Sequence, residues 1–118
     1  MLEKALILAA KAHTGQVDKG GAPYILHPIR VMLACEGEKE KIVALLHDTL
    51  EDTALTAADL RRAGFSEEIV QAVCCLTRGQ KEDYMDYIAR ICENALAARV
   101  KYADLQDNLD ISRIPNPT

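Results

Sequence analysis

Apolar residues recur at helical spacing from the beginning of the chain. The first stripe consists of Leu2, Ala5, Leu6, Leu8, Ala9 and Ala12. It predicts a helix over residues 2–13, because residues three and four apart lie on the same face of a helix. Glycines and a proline predict a loop over 14–24. Pro28 then suits the first turn of a short helix that reaches about Ala34.

The same periodicity continues to the end of the chain. Further helices are predicted over residues 38–51, 57–63, 66–76, 81–93 and 94–109. Thr56 can cap the second of these, which Gly64 ends, and Ser66 can cap the third. Strand signals are almost absent. We therefore predict an all-α bundle of about six to seven short helices, forming one domain over residues 1–118.

Composition narrows the class of protein. Hydrophobic residues make up 49% of the 118 residues, which is enough for one core, and aromatic residues only 4%. The net charge is −4 and no basic run occurs, so general nucleic-acid binding is disfavoured. No stretch approaches the ~20 apolar residues of a membrane span, and the N-terminus lacks the pattern of a signal peptide. We expect a cytoplasmic protein that binds neither membranes nor nucleic acid.

The predicted helix over 38–51, extended to residue 52, has one apolar and one acidic arc. The acidic arc consists of His47, Asp48, Glu51 and Asp52. Carboxylates three or four residues apart repel each other unless a cation offsets them. The arc is therefore either a solvated helix face, with or without basic neighbours, or part of a metal site.

Two other segments contain side chains that could bind a metal ion together with the acidic arc. His27 follows the loop and precedes Pro28, so its backbone is restricted. In the segment VKYADLQDNL, Lys101, Asp104 and Asn108 share one side of a helix. Two imidazoles and two carboxylates would suit Mn²⁺, Fe²⁺, Zn²⁺ or Mg²⁺. An ion held in this way leaves room for water and a substrate phosphate, as metal-assisted hydrolysis requires.

Three segments together resemble a known family. AHTGQVDKGGAPYILHPIRV, LLHDTLEDT and VKYADLQDNLD are similar to the hydrolase domain of RelA/SpoT-type alarmone enzymes and to small stand-alone alarmone hydrolases. These proteins are a branch of the HD-domain metal-dependent phosphohydrolases. The resemblance implies that His27, His47, Asp48 and Asp104 bind one divalent ion, usually Mn²⁺.

The resemblance also implies roles in catalysis and substrate binding. Glu51 and Asp52 match an acidic pair that positions or deprotonates the attacking water. Lys19 matches a basic residue of the substrate loop, and Asn108 an asparagine that helps to hold the nucleoside. The implied function is a metal-dependent phosphohydrolase for a small nucleotide phosphate, such as the 3′-pyrophosphohydrolase of guanosine-3′,5′-bis(diphosphate) (ppGpp). Association into a homo-oligomer stays open.

The sequence departs from the family pattern in the loop. Alarmone hydrolases usually carry Arg-Lys there, with the arginine stacked on guanine, whereas this chain has Asp18-Lys19. An aspartate cannot stack in this way, and its charge repels phosphates. The family's domains also usually continue well past the position of Asn108, so we expect some substrate contacts, or part of the core, to be either missing or supplied by a partner subunit. Three alternatives remain: a hydrolase of another nucleotide phosphate, for example an NADPH phosphatase; a metal- or nucleotide-binding module without turnover; and a purely structural helical domain in which the motif is fortuitous.

Overall fold

Eight helical segments make up most of residues 1–109, the part of the chain that the computed structural model describes. They are α1 (Leu2–Ala12), α2 (Leu26–Ala34), α3 (Glu38–Leu46), α4 (Thr49–Asp52), α5 (Ala57–Arg62), α6 (Glu67–Cys75), α7 (Tyr84–Cys92) and α8 (Ala95–Asn108). Within these residues the extended structure is limited to an isolated bridge between Val17 and Pro23. The all-α prediction is confirmed. The last nine residues of the predicted domain, 110–118, lie outside the described residues.

Helix boundaries follow the capping residues that the sequence contains. The Thr56 hydroxyl accepts from the Asp59 N–H, and the Asp59 carboxylate accepts from the Thr56 N–H. Ser66 caps α6 as predicted. The helix predicted over 81–93 begins only at Tyr84, because the Asp83 side chain accepts the N–H of Met85 and thereby caps α7.

The prediction of one continuous helix over 38–51 is wrong. The chain leaves helical hydrogen bonding at His47 and Asp48, and α4 is a separate segment of four residues. His47 Nδ1 donates to the Ala44 carbonyl at 2.5 Å, and the Thr49 hydroxyl donates to the Leu46 carbonyl at 2.7 Å. These side chains occupy carbonyl groups to which a continuous helix would direct backbone N–H groups, and such competition interrupts helices.

The segment α3 lies at the centre of the bundle. It packs against α1, α2, α6 and α8, and each residue from Ile42 to Leu46 is buried. His47 follows directly and is only 3% exposed. The polar arc of the predicted helix is therefore divided: His47 and Asp48 lie against residues of α2 and α8, whereas Glu51 and Asp52 are exposed.

The loop between α1 and α2 is held against α4. The Gln16 amide donates to the Asp52 carbonyl at 3.0 Å, and the Tyr24 N–H donates to the Gln16 carbonyl at 2.8 Å. Gly21 has a φ of 85°, a conformation that favours glycine. These contacts place the loop next to the acidic segment that follows α3.

None of the helices described over residues 1–109 combines the length and the apolarity that crossing a membrane would require.

Candidate metal centre

Side chains from three helical regions meet at one point. His27 lies on α2, Asp104 on α8, and His47 directly after α3. The Asp104 Oδ1 atom is 2.8 Å from His27 Nε2 and 3.2 Å from His47 Nε2. One ligand atom from each of the three residues lies within 4.8 Å of the other two, and all three are buried. This group has the spacing of a site that can hold a metal ion.

Asp48 completes the inner cluster. Its Oδ2 atom is 3.2 Å from His47 Nε2 and 3.9 Å from His27 Nε2. The Tyr24 hydroxyl donates to the same oxygen. Burial and the Asp48 carboxylate raise the pKa of Tyr24, so the phenol keeps its proton and remains a donor. Asp48 is thus oriented from outside while its oxygen faces both imidazoles.

The Nδ1 atoms of His27 and His47 point away from the cluster and have hydrogen-bond partners. These partners orient each ring so that its Nε2 atom faces the cluster. His47 Nδ1 must donate to the Ala44 carbonyl, because a carbonyl only accepts. His27 Nδ1 lies 2.6 Å from Asp107 Oδ2 and donates to it. A neutral imidazole arranged in this way presents its Nε2 lone pair to the centre, as metal-bound histidines do.

Electrostatics at the centre favour a cation. Burial alone would lower the pKa of His47, but Asp48 and Asp104 outweigh it and raise the pKa. Burial would raise the pKa of Asp104, but hydrogen bonds from His27 and His47 lower it. His47 and Tyr24 likewise hold the pKa of Asp48 down against burial. A proton on His47 supplies positive charge between the two carboxylates, and a bound divalent ion would replace that proton.

This chemistry fits a bound divalent ion. The inner atoms are two imidazole nitrogens and two carboxylate oxygens, a set that borderline and hard divalent ions accept. The histidines also have the outer hydrogen-bond partners that such a site requires. We therefore assign the cluster as a candidate metal centre, while the identity of the ion stays a prediction.

The predicted acidic pair lies on α4, beside the centre. Glu51 Oε1 accepts the backbone N–H of Arg78 at 2.8 Å. Partial burial and the charges of Asp48 and Glu51 raise the pKa of Asp52. The two carboxylates therefore differ in their surroundings. Glu51 accepts a hydrogen bond from the loop after α6, whereas Asp52 has a pKa that nearby acidic side chains raise.

The two predicted substrate residues lie in different surroundings. Asn108 Nδ2 donates to Asp104 Oδ1 at 3.4 Å, which places its amide at the edge of the cluster. Lys19 lies at the tip of the loop and is exposed. The adjacent Asp18 is turned into its own loop, where Oδ1 accepts from the N–H groups of Gly20 at 2.9 Å and Ala22 at 3.0 Å.

The structure adds residues for which sequence reasoning assigned no role. Arg30 Nε donates to Asp107 Oδ1 at 2.9 Å, and Lys101 Nζ donates to Asp104 Oδ2 at 3.2 Å. Helical spacing contained a signal for them. Arg30 follows His27 by three residues, and Asp107 and Lys101 each lie three residues from Asp104. The spacing could not show which of these residues pair with one another.

Comparisons with known proteins give a consistent result, although no family model matches the chain. The chain is 32% identical to the bifunctional (p)ppGpp synthase/hydrolase SpoT of Escherichia coli over 124 residues, covering 92% of this chain and 17% of the relative. It is also 32% identical to the guanosine-3′,5′-bis(diphosphate) 3′-pyrophosphohydrolase of Aquifex aeolicus over 120 residues, with the same coverage. The chain thus spans about a sixth of the length of these curated relatives.

A solved structure is similar over the whole chain. It is described as a metazoan ortholog of SpoT that hydrolyses ppGpp and plays a role in starvation responses. The TM-score is 0.83 at 26% sequence identity, and the match covers 99% of this chain and 72% of the other.

The helical bundle and its cluster of two histidines and a buried aspartate define an HD-type domain. Within that class, the chain is a homologue of the hydrolase domain of the SpoT/RelA proteins.

The candidate centre predicts stabilisation by Mn²⁺. Free ion at about 100 times Kd stabilises a protein by about 2.7 kcal/mol, which raises Tm by roughly 10 °C for a domain of this size. His47→Ala should lose this increment, whereas Asp86→Ala, which removes an exposed carboxylate on α7, should keep it. Thermal unfolding with and without Mn²⁺ measures the increment. An equal increment in the two variants would contradict the assignment.

Proposed function

We propose that this protein is a metal-dependent phosphohydrolase that acts on a nucleotide phosphate. The observation that carries the proposal is the convergence of His27 Nε2, His47 Nε2 and Asp104 Oδ1 within 4.8 Å of one another, in a fold shared with a SpoT ortholog. Asp48 is the fourth proposed ligand. A divalent ion bound there would lower the pKa of a water molecule and offset negative charge on a phosphate.

The proposed reaction assigns the proton to the acidic pair. Water adds to a phosphorus atom, the P–O bond to the leaving group breaks, one proton of the water passes to a carboxylate, and the leaving oxygen takes up a proton from solvent. Asp52 is the better base, because its raised pKa brings it closer to neutrality and Glu51 is occupied by the Arg78 N–H. We assign Glu51 to positioning the water and the adjoining loop.

The similarity to SpoT proteins supports ppGpp as a substrate, with release of pyrophosphate from the 3′ position. Asn108 would hold the nucleoside, since its amide lies beside Asp104. Lys19 would contact a phosphate from the exposed tip of the loop. Mn²⁺ is proposed as the ion.

Asp18 supports a second candidate of the same class, a hydrolase of another nucleotide phosphate such as NADPH. Its carboxylate accepts the N–H groups of Gly20 and Ala22 and thereby closes the turn of the loop. Alarmone hydrolases usually carry at this position the arginine that stacks on guanine. A loop of this kind does not depend on a guanine base.

A substrate screen tests the proposed function. Purified protein with Mn²⁺ is incubated with ppGpp, NADPH and other nucleotide phosphates, in an assay that separates phosphate from pyrophosphate. We expect turnover of at least one nucleotide that stops with EDTA and in Asp104→Asn, and persists in Asp86→Asn. Ion and nucleotide binding without product would contradict hydrolysis and support a binding module.

The two carboxylates of α4 should respond differently to loss of charge. Asp52→Asn removes the proposed base and should lower kcat by about 10²- to 10⁴-fold with little change in Mn²⁺ affinity. Glu51→Gln keeps an oxygen that can accept the Arg78 N–H, so its effect should be smaller. Steady-state kinetics and metal titration measure both quantities. A larger loss of kcat in Glu51→Gln would reverse the two assignments.

The role of Asp18 can be separated from the structure of its loop. Asp18→Asn keeps an oxygen for the Gly20 and Ala22 N–H groups and removes only the charge. Since a nearby charge contributes up to about 1 kcal/mol in water, we expect KM for ppGpp to fall about two- to fivefold. Asp18→Arg supplies the stacking group but loses the turn. If neither variant improves ppGpp turnover, Asp18 does not limit the use of this substrate.

A further inference from the structure

A chain of three side chains extends outward from the candidate metal centre. His27 Nδ1 donates to Asp107 Oδ2 at 2.6 Å, and Arg30 Nε donates to Asp107 Oδ1 at 2.9 Å. His27 and Arg30 lie one turn apart on α2, while Asp107 lies one turn beyond Asp104 on α8. One turn of each helix therefore contributes both an inner residue and an outer one.

We propose that Asp107 is a positioning residue for the metal, which holds His27 with Nε2 directed at the ion while Arg30 fixes the plane of the Asp107 carboxylate. This inference rests on the proposed metal site and adds a residue that stays outside it. Asp107 acts through His27 and does not itself touch the ion or the substrate.

The hydrogen bonding supports this role. An ionised carboxylate only accepts, so its contact with Nδ1 requires a proton there and leaves Nε2 as the ligand nitrogen. The His27 side chain is 7% exposed and that of Asp107 is 10%, so little water competes for the bond. Because Arg30 and His27 use separate carboxylate oxygens, the two contacts restrain the carboxylate together and thereby the rotation of the imidazole ring.

The other reading is that the Arg30–Asp107 pair only ties α2 to α8. The chain offers a matched comparison for that reading. Arg99 on α8 donates to Glu40 on α3 at 2.5 Å, which is also an arginine–carboxylate contact between α8 and a neighbouring helix. Replacing Glu40 therefore removes a tie between helices without changing a partner of the metal centre.

The magnitude of the effect follows from other metal sites. Loss of an outer partner of a metal-bound histidine typically costs 10- to 100-fold in metal affinity. We expect a loss in this range for Asp107→Leu, which has no acceptor. Asp107→Asn retains an acceptor oxygen without the charge and should lose less. Arg30→Met leaves the carboxylate in place and should have the smallest effect.

The experiment is a calorimetric titration of Mn²⁺ into the full chain and these variants, with Glu40→Leu as the control. The unfolding stability of each metal-free variant is measured separately by urea denaturation. A tie between helices would lower the stability of the metal-free protein in both Asp107→Leu and Glu40→Leu, but would leave the Mn²⁺ affinity of the folded protein unchanged.

The outcomes distinguish this inference from the proposed function. The positioning role is supported if Asp107→Leu binds Mn²⁺ more weakly than Asp107→Asn, and Asp107→Asn more weakly than the unmodified protein. The Mn²⁺ affinity of Glu40→Leu should then stay within about twofold of that of the unmodified protein. Equal affinity of Asp107→Leu and Glu40→Leu overturns it, even if the protein hydrolyses nucleotides. Absence of Mn²⁺ binding by the unmodified protein overturns both. The expected order of affinities without hydrolysis of any nucleotide supports the positioning role and contradicts the proposed function.

Discussion

Negative charge buried beside two imidazoles is the constraint on which the centre of this structure depends. Asp104 and Asp48 are brought to within about hydrogen-bond distance of His47 Nε2, at 3.2 Å each, in a region where water contributes little screening. Charges placed in such surroundings must be compensated, because an unpaired buried carboxylate is costly. The hydrogen bonds from Lys101 to Asp104 and from Tyr24 to Asp48 supply part of that compensation. A proton on His47 supplies further positive charge, and a divalent ion bound among the inner atoms would take its place.

The interruption after α3 connects this constraint to the fold. Five consecutive buried residues carry α3 through the core, and the break that follows turns His47 inward. The hydrogen bond between His47 Nδ1 and the Ala44 carbonyl takes part in the break and also directs Nε2 to the centre. The short α4 that follows carries Glu51 and Asp52 next to Asp48. One local interruption of helical hydrogen bonding thus contains His47 and Asp48, and the acidic pair follows it.

Much of this architecture was predictable, for identifiable reasons. Stripes of apolar residues and the caps at Thr56 and Ser66 are local signals, and they located the helices within a few residues. Residue chemistry and the resemblance to a family predict that His27, His47 and Asp104 converge, and the structure brings these three together. The prediction of one continuous helix over 38–51 is wrong, because apolar periodicity carries no information about side chains that compete for backbone carbonyls.

Short segments are enough to predict the helices of residues 1–109 and the side chains of a candidate divalent-ion site, because helix periodicity and ligand chemistry are local properties. Which side chains support that site depends on how the helices pack. Asp107 is 80 residues from His27, and Arg30 is 77 residues from Asp107, so neither contact follows from spacing. The turn closed by Asp18 was hidden for a related reason, since the same carboxylate could have faced either solvent or its own loop. Packing of α2 against α8 and folding of the loop made those choices.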